Sequence, residues 1–225
     1  PVHRVLIAVE GVRDAAAASR IALLARDRGV PLERPSRQTI DAVAAGASHG
    51  GIVAEVGERH AVDLDELANA SDPFVVLLDG IEDPYNFGAA LRGLYAAGAT
   101  GLVLRTRNWL SAAAVVARAS AGASELLPIA VVDEIASAVR RLRGAGLRVA
   151  CAAERPGALP IQQVDLRAPL LLLIGGERRG VMRSLIAEAD VLLRIPYARK
   201  GAPSLGAAVA AAVIGFEVQR QRAQG

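Results

Sequence analysis

Aromatic side chains make up only 3% of this 225-residue sequence. A core must therefore be assembled from Ala, Val, Leu and Ile. Cysteine occurs once, at Cys151, which excludes an internal disulfide and a cysteine-based metal site. The three histidines, His3, His49 and His60, lack ligand spacing, so no metal site is expected. Charges interrupt every apolar stretch before it reaches the length of a membrane span. The first ten residues lack the basic-then-apolar pattern of a secretory signal. The expectation is a cytoplasmic protein with no membrane partner. Lysine is nearly absent too: Lys200 is the only one among 26 basic residues, and the rest are arginine.

What is present is a chain 52% hydrophobic with a net charge of +3, long enough for one domain or two small ones. Arginine pairs bidentately with phosphate and stacks on bases, which would suit RNA. An Ala-rich, Arg-for-Lys chain is equally what GC-rich coding produces. Charge alone does not choose between the two.

Hydrophobic spacing predicts strands at Arg4–Val9, Pro31–Arg34 and Gly51–Val56. Helices are predicted at Asp14–Arg28, at Gln38–Ala45 behind a Ser36 cap, and at Asp63–Asn69. The stretch Asn69-Ala70-Ser71-Asp72-Pro73 then breaks the pattern and is the expected domain boundary. Beyond it the alternation restarts. The apolar run Phe74–Leu78 reads as a parallel strand buried on both faces. Further strands are predicted at Gly101–Leu104, Ile129–Val132, Leu147–Ala152, Leu170–Ile174 and Val191–Ile195. Helices are predicted at Phe87–Ala97, Ser111–Ala121 and Glu134–Gly144, just after Gly180, and over Leu205–Arg222. This alternation implies an α/β fold with a mostly parallel sheet. Ligands bind such sheets beyond the C-terminal ends of the strands.

Three loops leave strand ends in this part. The first runs Leu78-Asp79-Gly80-Ile81-Glu82-Asp83-Pro84-Tyr85-Asn86-Phe87-Gly88, with Arg92 on the helix that follows. Asn86 is either a helix cap or a functional amide. Arg92 is either a surface residue or a phosphate ligand. The second loop is Ile174-Gly175-Gly176-Glu177-Arg178-Arg179-Gly180. It is not a P-loop, because Val181-Met182 stands where Lys-Ser/Thr is required, and the dinucleotide fingerprint is absent. Its glycines suggest close approach of a ligand to bare backbone, or a tight turn; a turn does not explain Glu177. The third loop, Ile195-Pro196 to Ser204-Leu205-Gly206, places Ser204 as a cap for a last helix nearly free of charge up to Phe216. Such a helix is buried in a core or a subunit interface.

In this order, at these strand ends, the three loops resemble those of SpoU-type (TrmH-like) RNA ribose 2′-O-methyltransferases of the SPOUT superfamily. The likeness runs from about Val75 to Gln221 and includes Ala117–Pro128. Glu10-Gly11-Val12 and Ser48–Val53 resemble the small L30e-like RNA substrate-binding domain that precedes the catalytic domain in many members. The resemblance implies an L30e-like α/β domain over residues 1–70 and a trefoil-knotted methyltransferase domain over 74–225. It implies S-adenosylmethionine as cofactor, bound at Ala152, Gly175, Gly176, Ile195, Pro196 and Leu205. Arg92, Asn86, Glu177 and Ser204 would be the catalytic group, with Arg92 central as phosphate anchor and electrostatic stabiliser. The substrate would be RNA, ribosomal first and transfer RNA as the alternative, and the active species a homodimer. One departure stands out: the family pattern Ser-Leu-Asn reads Ser204-Leu205-Gly206 here. That departure keeps a catalytically silent RNA-binding member in view.

Overall fold

The computed structural model describes residues 1–44, 46–105, 112–176, 180–199, 201 and 204–224. The chain divides into two compact units, Pro1–His60 and Ala61–Gly225. The division therefore falls before the helix expected to close the first unit. That helix, α3 (Leu64–Ala68), turns Leu64 and Leu67 into the core of the second unit beside Val75 and Leu77. The polar stretch Asn69–Pro73 is a turn inside the second unit. Burial of two leucines outweighs the local break in sequence pattern.

In the first unit, β1 (Val2–Ile7), α1 (Ala15–Asp27), β2 (Leu32–Glu33), α2 (Arg37–Val43) and β3 (Ile52–Val56) follow in order. The sheet runs β2-β1-β3, with β2 parallel and β3 antiparallel to β1. Val5 and Ile7 pack on Ala18 and Ala25 of α1, while Leu6 and Ala8 pack on Ile40 of α2. Asp14 and Ser36 cap the two helices by accepting the backbone N–H groups of Ala17 and Thr39. The imidazole of His49, only 7% exposed, accepts the Gly51 N–H at Nδ1 and places Nε2 2.9 Å from Asp41. Asp41 also accepts from Arg37, whose other arm reaches the Gly11 carbonyl at 2.7 Å. His49 is thus a buried turn residue.

The second unit continues with β4 (Phe74–Asp79), α4 (Pro84–Ala96), β5 (Gly101–Arg105), α5 (Ala113–Ala119), β6 (Ile129–Val132), α6 (Ile135–Gly144) and β7 (Arg148–Ala152). It closes with β8 (Leu159–Pro160), β9 (Leu170–Gly175), α7 (Arg183–Ala187), β10 (Val191–Arg194) and α8 (Ala207–Arg222). The seven strands lie in the order β6-β5-β4-β9-β7-β10-β8, and every strand pair is parallel. Period-two alternation sends Phe74, Val76 and Leu78 toward α4 and α8, and Val75 and Leu77 toward α3, α6 and α7. Each fully buried aliphatic side chain contributes about 1.5–3 kcal/mol, which explains why this strand tolerates no polar residue before Asp79.

Helices α4 and α8 approach through small residues, Gly93 against Ala212 and Gly215 against Ala97. One side of α8 is core: Ala207, Ala211, Ile214 and Val218. The other exposes Val209, Val213 and Phe216. At its far end Arg222 donates to the carbonyls of Asp72, Pro73 and Ala168, pairs with Asp72 and lies over the Phe74 ring. Its side chain is 15% exposed, and burial draws the guanidinium below its ordinary pKa, opposed by Asp72. No helix among the described residues is long and apolar enough to cross a membrane.

Candidate functional site

From β4 the chain builds outward to β5 and β6 on one side; β9 and β7 occupy the other. The connections leaving β4 and β9 therefore diverge, and this is the point where an α/β sheet opens a crevice at its C-terminal edge. Asp79 and Gly175 stand opposite each other there in register. One strand further, β7 ends at Ala152, and beyond it Leu193 of β10 pairs with Ala152, so Ile195 and Pro196 leave the sheet beside it. Adjacent strands lie about 4.8 Å apart. The structure thus brings Ala152, Gly175, Gly176, Ile195 and Pro196 to one continuous edge.

The first loop corrects the expectation at Asn86. The cap of α4 is Asp83, whose carboxylate accepts the Asn86 N–H at 2.7 Å. Pro84 makes this possible, because it fits the first helical turn, where its missing N–H is no loss. The Asn86 side chain is exposed and is not needed as a cap. Arg92 is exposed on the same helix, and among the described residues it has no hydrogen-bond or ion-pair partner. Seven residues is nearly two helical turns, so Arg92 shares its face with Tyr85, which is 65% exposed. Sequence reading passed over Tyr85. The available signal was aromatic scarcity: Tyr85, Tyr95 and Tyr197 are the only tyrosines, and all three are exposed.

In the second loop the glycines have a structural reason. Gly80, at φ +83°, turns its carbonyl against Gly176, and a methyl group on Gly176 would overlap that oxygen. A methyl group on Gly175 would overlap the backbone of Gly180 and Val181. Gly176 and Gly180 pair as an antiparallel bridge, with the Gly180 N–H donating to the Gly176 carbonyl at 2.9 Å. The two motif loops are interlocked backbone to backbone. Glu177, between the bridged glycines, lies outside the described residues, as does Trp109.

In the third loop Ser204 is exposed and does not cap α8; the cap position is Gly206, with no side-chain hydrogen bond. Leu205, just before it, donates its N–H to the Tyr197 hydroxyl at 3.1 Å. Ile195 and Ala152 are half-buried and pack against the core. Small apolar side chains and peptide groups at this edge suit a ligand held through backbone contacts with an apolar part.

Two charged residues join the crevice. Asp79, 12% exposed, lies 3.9 Å from the Arg105 guanidinium, and Arg105 donates to the Met182 sulfur at 3.3 Å. Leu78, Gly80, Ile81, Phe87 and Leu104 complete the lining. The Cys151 thiol is buried one position before the edge, and burial pushes its pKa up to about 11. It stays protonated near neutrality and supplies no nucleophile. Among the described residues no cluster of three metal-ligating side chains is present.

With this geometry in hand, comparison with known proteins is direct. The model of the SpoU rRNA Methylase family matches residues 73–216. The chain is 35% identical over 198 residues to the 23S rRNA (guanosine-2′-O-)-methyltransferase RlmB of Shewanella oneidensis, covering 86% of this chain and 80% of that protein. It is 34% identical over 205 residues to RlmB of Xylella fastidiosa, covering 88% and 81%. Among solved structures, the SpoU methyltransferase AviRb from Streptomyces viridochromogenes in complex with AdoMet superposes with a TM-score of 0.80. That match has 27% identity and covers 100% of this chain and 85% of that one.

Proposed function

The chain belongs to the SpoU rRNA Methylase family, and on that premise we propose that its three strand-end loops carry S-adenosylmethionine-dependent methylation of a ribose 2′-hydroxyl in ribosomal RNA. The observation that carries the reading is the convergence of Asp79, Gly175, Ala152 and Ile195 on one sheet edge at the switch between diverging connections. Ala152, Gly175, Gly176, Ile195, Pro196 and Leu205 hold the methyl donor. In this state the Leu205 N–H is committed to Tyr197, so contact from Leu205 runs through its carbonyl or side chain. Bound S-adenosylmethionine supplies an activated sulfonium methyl group.

The chain's own residues then have to place the ribose and handle the charge that develops as its hydroxyl loses a proton. A hydroxyl is a poor nucleophile until that proton is drawn off. Arg92, exposed and unpaired among the described residues, anchors a backbone phosphate and stabilises the developing oxyanion. It keeps its own proton, because guanidinium is not deprotonated in proteins. Asn86, released from capping by Asp83, orients the ribose. Glu177 and Ser204 complete the group by orienting Arg92 and the substrate edge.

The family's trefoil knot would fall in the segment from β7 to α8; the insertion of β9 between β4 and β7 supports it. Residues 1–60 serve as the RNA-binding unit. A homodimer is supported by the stripe Val209, Val213 and Phe216, exposed on a helix that meets α4 at Gly93, next to Arg92. The silent-homologue reading turns on Gly206. As the cap of α8, glycine costs only a few tenths of a kcal/mol relative to asparagine.

Labelled methyl donor incubated with separate ribosomal and transfer RNA pools tests the reading, with nucleoside mass spectrometry as readout. Ribose methylation of ribosomal RNA is expected. Arg92→Ala is expected to lower turnover about 10²–10³-fold without changing donor affinity. Failure of the wild-type protein to methylate any pool, despite binding donor, would replace this reading with the silent one.

A further inference from the structure

The third loop leaves the sheet after β10 and re-enters regular structure at α8, whose first turn has no side-chain cap. An uncapped helix start leaves its entry angle to the preceding residues. Here one side chain fixes that entry. The Tyr197 hydroxyl accepts the N–H of Leu205, eight residues on and immediately before the Gly206 cap, at 3.1 Å. Tyr197 therefore joins the two ends of the third strand-end loop. We propose that Tyr197 is a positioning residue for methyl-donor binding, holding the Leu205 backbone in place beside it before the donor arrives. The proposal rests on the donor-site reading above and goes beyond it in naming the side chain that sets the site's shape.

Both residues are exposed, so in the free protein water competes for the bond. Its value is conformational: an untied loop must be ordered at the moment of binding, and that cost is subtracted from affinity. The hydroxyl touches Leu205 and not the reacting atoms, so its loss acts on donor binding. It does not act on RNA binding or on the chemical step.

Tyr197→Phe removes one oxygen and keeps the ring. The donor Kd, measured by calorimetry, is expected to rise about 3- to 10-fold, the range one net hydrogen bond spans. The KM for donor should follow it, while kcat at saturating donor and the KM for RNA stay at wild-type values. Exchange of the Leu205 amide with deuterium should quicken in the variant. Equal loss in RNA KM, or a wild-type donor Kd, overturns the proposal. Hydrogen exchange of the wild-type protein with donor separates the two levels. Donor protection over residues 195–206 with an unchanged Kd in Tyr197→Phe removes only the role of Tyr197. Absence of protection there removes the donor-site assignment and this proposal with it.

Discussion

In the first unit, the turn after β1 and the turn before β3 are joined by a backbone bond from the Arg13 N–H to the Gly50 carbonyl and then braced by side chains: His49 to Gly51 and Asp41, Asp41 to Arg37, and Arg37 to the Gly11 carbonyl. In the second unit, the loops after β4 and β9 are tied by peptide groups, Gly80 against Gly176 and Gly175 against Gly180. Side chains can be trimmed and replaced in part by water. A backbone contact made possible by the absence of a Cβ has no such margin. The site-bearing unit therefore uses the less forgiving device, and its loop geometry is correspondingly fixed.

The strongest way to break this contrast is Gly176→Ala. The added methyl meets the Gly80 carbonyl at overlap distance, so one of the two motif loops must move. A destabilisation of about 3–5 kcal/mol is expected, together with loss of donor binding, read by thermal melting and calorimetry. If Gly176→Ala melts and binds like the wild type, the interlock is not what holds the loops. A smaller effect is expected from His49→Ala. It removes an acceptor from the Gly51 N–H and a partner from Asp41, at about 1–3 kcal/mol. Hydrogen exchange in the full chain should show the loss confined to residues 46–53 and the first unit, with donor affinity unchanged. Weakened donor binding in His49→Ala would erase the contrast.

The smallest effect is acid titration. Hydrogen bonds from Arg141, Arg167 and Arg220 hold the carboxyls of Asp65, Asp165 and Glu217 below their ordinary pKa, with Asp165 at about 2. All three lie in the second unit. A depressed carboxyl contributes stability that is present above its unfolded pKa and lost as pH falls through its folded one. Asp65 and Asp165 are more than half exposed, so their share of the loss should be slight, whereas the Glu217 side chain is only 10% exposed and should contribute most of it. The loss should appear in the second unit, from about pH 4.5 down to about pH 2. Acid exchange that opens residues 1–60 alone would contradict this ordering.

Much of this architecture could be read before the structure. The strands and helices of both units follow from apolar spacing, because burial on one or two faces imposes a period that composition cannot hide. Helix starts were less legible. Asn86 and Ser204 have good capping side chains, yet Asp83 and Gly206 hold the positions. Pro84 admits an earlier start, and the Tyr197 hydroxyl takes the N–H that precedes α8. The boundary was misplaced for a similar reason: Leu64 and Leu67 answer to a core formed by residues far along the chain. Gly175 and Gly176 were noticed as glycines, but their neighbour Gly80 becomes visible only once β9 is known to lie beside β4. Local chemistry is written in neighbouring residues, whereas the interlock depends on strand order.

Arg222 has a consequence in time. Its guanidinium closes the entrance of β4 by binding the carbonyls of Asp72 and Pro73, 150 and 149 residues earlier in the chain. At about 5–20 residues per second on the ribosome, the mouth of β4 stays unsealed for roughly 8–30 seconds after Pro73 is made. The aliphatic strand laid down first in this unit is thus the one that waits longest for its clasp, and throughout that interval a chaperone would find it within reach.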